Sequence, residues 1–267
     1  MVTDFIFAYE TFIRLFFFLI VFFFLVLSEL WFPWRAACRP KINRWLSHFS
    51  LLVFYSILLR ILFPVAAVGV AHISGVWGVG ILNWVALPSL ATFLIALLAL
   101  DAAIYGQHRL MHVVPWLWRL HRMHHTDLDF DVTTGFRFHP VEIVISMLFK
   151  CVVVVILGPS VLAVLVFEIL LSVAALFTHA NIGLSNRVDR YVRWVFVTPN
   201  MHRIHHSVKM GEYNSNYGFF ISVWDRLFGS YCSRFRGEEQ IGLPSWNDDR
   251  DVVSFWGLLV QPFRPPR

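Results

Sequence analysis

His108-Arg-Leu-Met-His112 and His121-Arg-Met-His124-His125 lie close together in the sequence, and His202-Arg-Ile-His205-His206 repeats the second of them. In an α-helix, residues at i, i+3 and i+4 share one face, so these segments predict one pair and two triplets of imidazoles, each on a single helical surface. Imidazole binds iron, zinc, copper and nickel, and eight imidazoles exceed what one ion can use. We therefore predict a site for two metal ions.

A single histidine on an apolar helix is more often a packed core residue than a metal ligand. Three groups of histidines on common faces are different, because eight clustered imidazoles without a metal would need many separate hydrogen-bond partners. The clustering therefore favours metal binding over core packing.

The composition indicates a membrane protein. The 267 residues are 58% hydrophobic and only 15% charged, with a mean hydropathy of +0.64, which is far more apolar than a soluble domain of this size. Continuous apolar runs long enough to cross a bilayer recur, whereas a membrane β-barrel would show alternation. We predict an all-α, polytopic helical membrane protein of four to five transmembrane helices, with a cytosolic His-rich cap that holds the two metals.

Five apolar segments predict the spans, and Arg60 and Pro64 predict a kink in the second. The segments cover residues 11–32, 45–70, 89–107, 141–157 and 160–177. Gly158-Pro159 separates the last two, which predicts a helical hairpin. We expect one membrane domain over 1–267, with N-terminal spans and a connection in 1–88, a catalytic region in 89–235 and a C-terminal tail in 236–267.

The basic residues predict the orientation. All but Arg14, Arg60 and Lys150 of the 22 Lys and Arg lie in segments 33–44, 108–140 and 181–267, which we place on the cytosolic side by the positive-inside rule. This pattern explains the net charge of +5 better than nucleic-acid binding, and we expect no nucleic-acid partner. The histidines would then lie at the cytosolic face of a multi-pass protein.

Further residues join the candidate site. The predicted hairpin brings His139 and His179, one at each of its ends, to the face that carries the other histidines. Three acids lie in apolar stretches, where an ionisable group costs about 2.5–3.5 kcal/mol and is therefore functional by default. Each could accept a hydrogen bond from a ligand's second ring nitrogen and fix its tautomer, or could instead be paired with arginine or protonated. These acids are Asp101, two turns before His108, Glu142, close to His139, and Glu168, three turns before His179.

The loop between the histidine groups is acidic. Asp127, Asp129 and Asp131 alternate along it, and we expect this run to line a solvated connection.

A nearly all-nitrogen site for two metals at the mouth of a helical bundle favours activation of O2 by non-haem iron for attack on a lipid. An inert C–H bond offers no group for acid–base catalysis, so a metal must perform the difficult step.

The order and spacing of these motifs resemble the fatty acid hydroxylase and sterol desaturase superfamily of membrane non-haem di-iron enzymes, over about residues 90–235. Further segments resemble its small bacterial members: Asp131-Val-Thr-Thr-Gly-Phe-Arg-Phe-His139-Pro-Val-Glu142, Thr198-Pro-Asn-Met-His202, Asn216-Tyr-Gly, and Trp224-Asp-Arg-Leu-Phe-Gly229. The resemblance implies two iron ions, O2, an external reductant, a membrane lipid substrate and a bacterial inner membrane. No cytochrome b5-like motif follows the His-Pro pair, so electrons are expected from a separate protein or a small reductant such as a pterin.

Several alternatives remain open at this stage. A desaturase would use the same site, and a di-zinc hydrolase would use the same ligands. A metal transporter or sensor should place its polar residues at mid-membrane, and a bis-histidine haem would have only His48 and His72 to spare. The sequence specifies neither the lipid nor the oligomeric state.

Overall fold

The computed structural model describes residues 2–246 and 248–265. Its described residues form helices, turns and three isolated β-bridges, with no β-strand among them. The long helices are α1 (Val2–Trp31), α2 (Lys41–Leu62), α3 (Ala66–Val76), α5 (Ser89–Val113), α7 (Pro140–Leu157) and α8 (Val161–His179), and the short α4 (Ile81–Trp84) follows α3. They provide five segments that are long and apolar enough to cross a membrane, because α2 to α4 count as one. The predicted all-α class is confirmed.

The second span is broken where the sequence predicts a kink. Helix α2 ends at Leu62 and α3 begins at Ala66, so the break lies around Pro64, which has no N–H group to continue the helix. The N–H of Phe63 donates the last bond of α2 to the carbonyl of Leu59, at 2.8 Å. The helical path then continues to Val76, six residues beyond the predicted end of the span.

Contacts between α1 and α8 show the direction of the chain. Arg14 of α1 contacts Glu168 of α8, and Glu29, near the end of α1, accepts a hydrogen bond from the N–H of Asn181, just after α8. Helices α1 and α8 are therefore parallel. Helix α5 also runs toward this end, where it carries His108, whereas α2–α3 and α7 run back.

The turn between α7 and α8 packs tightly against the loop after α3. Gly158 ends α7 with φ of 64°, a left-handed conformation that glycine adopts without cost. Gly80 lies against it so closely that a Cβ there would be 2.3 Å from the Gly158 nitrogen. The hairpin predicted from Gly158-Pro159 is confirmed.

The remaining elements form a cap at the end of the bundle where α1, α5 and α8 finish. The cap consists of α6 (Pro115–His125), a 3-10 helix (Val132–Phe136), α9 (Asn186–Val192), α10 (Pro199–His205), α11 (Met210–Tyr213), α12 (Val223–Leu227), α13 (Asp249–Val252), α14 (Phe255–Val260) and a second 3-10 helix (Gln261–Phe263). Because the cap consists of short helices joined by loops, it contains many buried polar side chains and backbone groups, and these groups form hydrogen bonds with one another.

The expectation that Asp127, Asp129 and Asp131 line a solvated loop is wrong, because all three are buried. The buried guanidinium of Arg44, at the start of α2, binds Asp127 at 2.8 Å and Asp131 at 2.9 Å. Burial alone would raise the pKa of Asp127, but the neighbouring Arg44 outweighs it and holds that pKa well below its ordinary value. The acidic run therefore ties the second span to the cap.

Candidate metal centre

Helices α5 and α6 carry the first histidine motifs. Helix α5 runs without interruption through His108 and His112 and ends at Val113. Pro115 then starts α6, a position that tolerates proline because the first N–H groups of a helix have no partner within it. The resulting bend brings the face of α6 that carries His121 and His125 against the end of α5.

Nine histidines meet at this point in two groups of buried side chains. Within each group, one potential ligand atom per residue lies within 4.8 Å of all the others. The five-His group is His108, His112, His121, His125 and His205; the four-His group is His124, His179, His202 and His206. Imidazole nitrogens at such distances form a typical donor set for one transition-metal ion per group.

Each triplet divides between the two groups. On α6, His121 and His125 join the five-His group, and His124 between them joins the four-His group. The triplet that begins on α10 does the reverse, since His205 joins the five-His group while its neighbours His202 and His206 join the other. The i, i+4 residues thus belong to one histidine group and the i+3 residue belongs to the adjacent group. The two groups are in contact, and the rings of His125 and His206 are stacked with centroids 4.3 Å apart.

Hydrogen bonds at Nδ1 aim several ring nitrogens into the groups. Five Nδ1 atoms contact an oxygen that only accepts, so each of these must carry the ring hydrogen and leave its Nε2 lone pair free. The pairs are His108 with the Tyr217 carbonyl, His121 with the Glu142 carboxylate, His124 with the Arg137 carbonyl, His179 with the Ala175 carbonyl and His205 with the Ser215 carbonyl.

This tautomer pattern leaves lone pairs that face each other. Nε2 of His124 lies 3.0 Å from Nε2 of His179, and neither atom carries a hydrogen in this tautomer. Nε2 of His108 and Nε2 of His121 are 3.2 Å apart in the same situation. Two opposed lone pairs repel unless a cation lies beside them, so the residues fit bound metal ions.

Protons do not provide the cation between these lone pairs at neutral pH, because the imidazoles are neutral there. Burial, and then the neighbouring histidines, hold the pKa values of His124, His125, His202 and His206 well below the ordinary range. The pKa of His205 is lowered to about 3, again mainly by burial. Neutral imidazole is the form that binds metals. In addition, both ring nitrogens of His206 are buried without a hydrogen-bond partner.

The Asn216-Tyr-Gly motif positions two of the carbonyl groups. Asn216 has a positive φ of 53°, and its side-chain amide donates to the carbonyls of Met201 and Cys232. The turn presents the carbonyls on either side of Asn216 to His205 and His108. The carboxylate of Asp225 holds the turn in place by accepting hydrogen bonds from the N–H groups of Tyr217 and Gly218, at 2.7 and 2.8 Å. Residue types alone do not reveal such carbonyl partners.

His139 is the one predicted ligand that the structure does not bring into either group. It precedes α7, where its Nδ1 accepts the N–H of Val141 and its Nε2 lies 3.1 Å from the carbonyl of Leu259. Both ring nitrogens are thus engaged outside the centre. By contrast, His179 at the end of α8 joins the four-His group.

The three predicted acids have different partners. Glu142 contacts a histidine of the five-His group, but this histidine is His121, at 2.7 Å, and not the nearby His139. Asp101 instead accepts hydrogen bonds from the indole of Trp224 and the N–H of Ile221, which attach the cap to α5. Glu168 forms ion pairs with Arg14 and Lys150 within the bundle.

A cavity of about 350 Å³ leads from the histidines into the helical bundle. His108, His121 and His124 are among its lining residues at the cap end. Its wall is mainly apolar, and the side chains that contribute include Phe18, Leu52, Ile104, Phe136, Leu171 and Leu176. A cavity of this size and character suits a ligand with an apolar chain.

Comparison with known proteins agrees with this geometry. The family model described as fatty acid hydroxylase matches residues 93–230, which contain all nine grouped histidines. The chain is 28% identical to an ornithine lipid hydroxylase of Rhizobium tropici, over 66% of this chain and 51% of that protein. It is 30% identical to an alkylglycerol monooxygenase of Xenopus tropicalis, over 79% of this chain and 46% of that protein.

A cholesterol 25-hydroxylase of Rattus norvegicus is 26% identical over 60% of this chain and 57% of that protein. The chain therefore spans about half the length of the curated relatives that it matches. No solved structure matches it. The family match extends over more than half of the residues and includes the complete histidine centre. The chain belongs to the fatty acid hydroxylase family.

Proposed function

We propose that this chain is an O2-dependent, non-haem di-iron enzyme that hydroxylates a C–H bond of a membrane lipid. The observation that carries the proposal is the position of the two histidine groups: they adjoin each other at the end of an apolar cavity inside a bundle of candidate membrane spans. The relatives named as hydroxylases and monooxygenases of lipids support the same chemistry.

Nine histidines would hold the ions, one in the five-His group and one in the four-His group. When bound, iron would supply the oxidising chemistry that an unactivated C–H bond requires. His139 is not included, because both of its ring nitrogens have other partners. The Nδ1–H bonds to carbonyls and to Glu142 would keep the ligand rings in place and in the correct tautomer.

The chain itself would bind and orient the lipid. The rings of Phe136 and Phe138 line the cavity beside the centre, and Phe138 stacks on His124 with centroids 4.4 Å apart. Apolar walls exclude water from the reacting carbon. Entry from the bilayer would avoid extracting the chain into water, which costs about 0.8 kcal/mol for each CH2 group.

The electrons would come from outside the chain. Hydroxylation places one oxygen atom in the C–H bond and reduces the other to water, so a separate protein or a small reductant must supply electrons. We further propose that the centre faces the cytosol of a bacterial cell from its inner membrane, since the cap segments carry most of the Lys and Arg. In this proposal residues 89–235 are the catalytic region.

Comparative lipid mass spectrometry tests the function. Cells that express the chain are compared, under oxygen, with cells that express the His124→Ala/His205→Ala variant, which removes one ligand from each group. A variant of the exposed His72, His72→Ala, is the matched control. We expect one lipid class to gain an oxygen atom with the wild type and with the control, but not with the double variant.

Other outcomes identify the alternatives. A lipid class that loses two hydrogens instead would replace hydroxylation by desaturation at the same centre. If no lipid changes in a host with the native lipids and reductant, and the purified protein contains zinc after growth in iron-rich medium, the oxygenase proposal fails in favour of a hydrolase or a metal-handling protein.

A further inference from the structure

Three charged side chains meet inside the helical bundle, far from the histidines. Glu168 of α8 accepts from Arg14 of α1 and from Lys150 of α7. The side chain of Glu168 is 1% exposed and that of Lys150 is 11% exposed, whereas Arg14 keeps 41%. All three line the same cavity that reaches the metal centre. Arg14 therefore has one surface against Glu168 and another against the open space.

This charged cluster is not electrically balanced. Two cations share one carboxylate, which leaves one positive charge. A second cavity of about 400 Å³ is lined by Arg14 and Glu168 too, and it adds Arg60 and also Glu10, which lies one helical turn before Arg14 on α1. Together with Lys150, these side chains carry three positive charges and two negative ones, which still leaves one positive charge. An uncompensated charge inside a membrane span is costly, and ionisable groups at such positions generally serve ligands or ions.

The cluster lies at a fixed distance from the histidines. Glu168 precedes His179 on α8 by eleven residues, which corresponds to about 16 Å along the helix axis. On α7, Lys150 follows Glu142, the partner of His121, by eight residues or about 12 Å. Apolar side chains such as Leu52, Ile143 and Leu171 line the cavity wall.

We propose that Arg14 and Lys150 bind an anionic oxygen group of the lipid, a carboxylate or a phosphate, with its hydrocarbon chain directed toward the histidines. The substrate class is then a chain with an anionic end, held so that a carbon about 12 to 16 Å from that end reaches the metal centre. In this arrangement, Glu168 holds Arg14 and Lys150 in place when no lipid is bound. When a lipid binds, Glu168 competes with the anionic group of the lipid for these two cations. The role of this site in binding a substrate rests on the proposed function, but binding of the anionic lipid can be measured without turnover.

The test measures binding to the purified full-length protein in uncharged detergent. Radiolabelled hexadecanoate is bound to the immobilised protein and displaced with unlabelled hexadecanoate, hexadecyl phosphate or hexadecanol. We expect the carboxylate or the phosphate to displace the label at concentrations at least about tenfold lower than the neutral alcohol. The more effective of the two anions identifies the group that the site prefers.

Three variants distinguish a binding role from a structural one. Arg14→Met and Lys150→Met should weaken hexadecanoate binding by about tenfold or more, and the exposed Arg190→Met is the control that should leave it unchanged. Glu168→Gln should strengthen binding, because it removes the competing carboxylate. A purely structural cluster would give weaker binding in all three cluster variants alike.

The proposal is overturned if hexadecanol competes as well as the anions, or if Glu168→Gln weakens binding together with the other two. Failure here is separate from failure of the proposed function. A protein that oxidises a lipid but shows no preference for anions loses only this subsite, whereas one that binds hexadecanoate through Arg14 but oxidises no lipid loses only the hydroxylase assignment.

Discussion

Nε2 of His124 on α6 and Nε2 of His179 on α8 lie 3.0 Å apart, although both atoms have only a lone pair to present. Their Nδ1–H groups are committed to the carbonyls of Arg137 and Ala175. Nε2 of His202 approaches His179 at the same distance of 3.0 Å from a third helix. Three chain segments thus converge on one point, and the folding of the cap onto the bundle is linked to the ion that would lie there.

Metal analysis of ligand variants tests the division into two groups. We expect two ions per chain in the wild type, and about one ion in either His179→Ala or His112→Ala, because each removes a ligand from only one group. Inductively coupled plasma mass spectrometry of purified protein gives the count, with His72→Ala as the control that keeps both ions. Complete loss of metal in both single variants would show one shared site and contradict the division.

Glu142 should raise the metal affinity of the five-His group through His121. Its carboxylate accepts the Nδ1–H of His121 at 2.7 Å, which fixes the ring and makes Nε2 a stronger ligand. Glu142→Ala should therefore lower the affinity for one ion by about 10- to 100-fold, as measured by competition with a chelator. Glu142→Gln should recover part of this loss, since its amide oxygen can still accept.

Asp101→Asn is the matched comparison for Glu142, because Asp101 is also a buried acid but binds Trp224 and the backbone of Ile221. It should leave the chelator competition unchanged. Equal loss of metal affinity in the two variants would mean that the effect of Glu142 is general destabilisation.

Arg44 should be essential for the stability of the cap. Its buried guanidinium binds the carboxylates of Asp127 and Asp131 and also donates to the carbonyl of Asp129. Arg44→Met leaves two buried carboxylates without their main partner, a change that typically costs about 3–5 kcal/mol. We expect a clearly lower thermal unfolding temperature in detergent than for the exposed Arg109→Met. Equal unfolding temperatures would contradict the role that the structure gives to Arg44.

The spans and most of the centre could be predicted because they follow local rules. Hydrophobic run length located the five spans, Gly158-Pro159 located the hairpin, and the i, i+3, i+4 spacing located eight of the nine grouped histidines. The ninth, His179, was predicted from the hairpin, which returns the chain to the histidine end. These inferences need only periodicity and chain connectivity.

The remaining features depend on tertiary contacts that spacing does not encode. Asp101 lies two turns from His108, yet its carboxylate accepts a hydrogen bond from the indole of the cap residue Trp224. The division of each triplet between two groups requires the relative placement of α6 and α10. The acidic run was placed in solvent because its partner, Arg44, is distant in sequence, and such a pairing is not visible without the fold.

His139 gives the sharpest test of the ligand assignment, because the sequence analysis predicts it as a ligand from the hairpin, whereas the structure places it outside both histidine groups. Its Nδ1 accepts the N–H of Val141 and so caps α7. His139→Ala should retain two ions per chain and lose about 0.5–2 kcal/mol of stability, the usual value for an N-cap, while His139→Asn should restore most of that stability because asparagine is a good cap. Thermal unfolding and metal analysis on the same samples separate the two roles. If the metal count falls to one in both variants, His139 is a ligand in the working protein and the assignment of nine ligands is wrong.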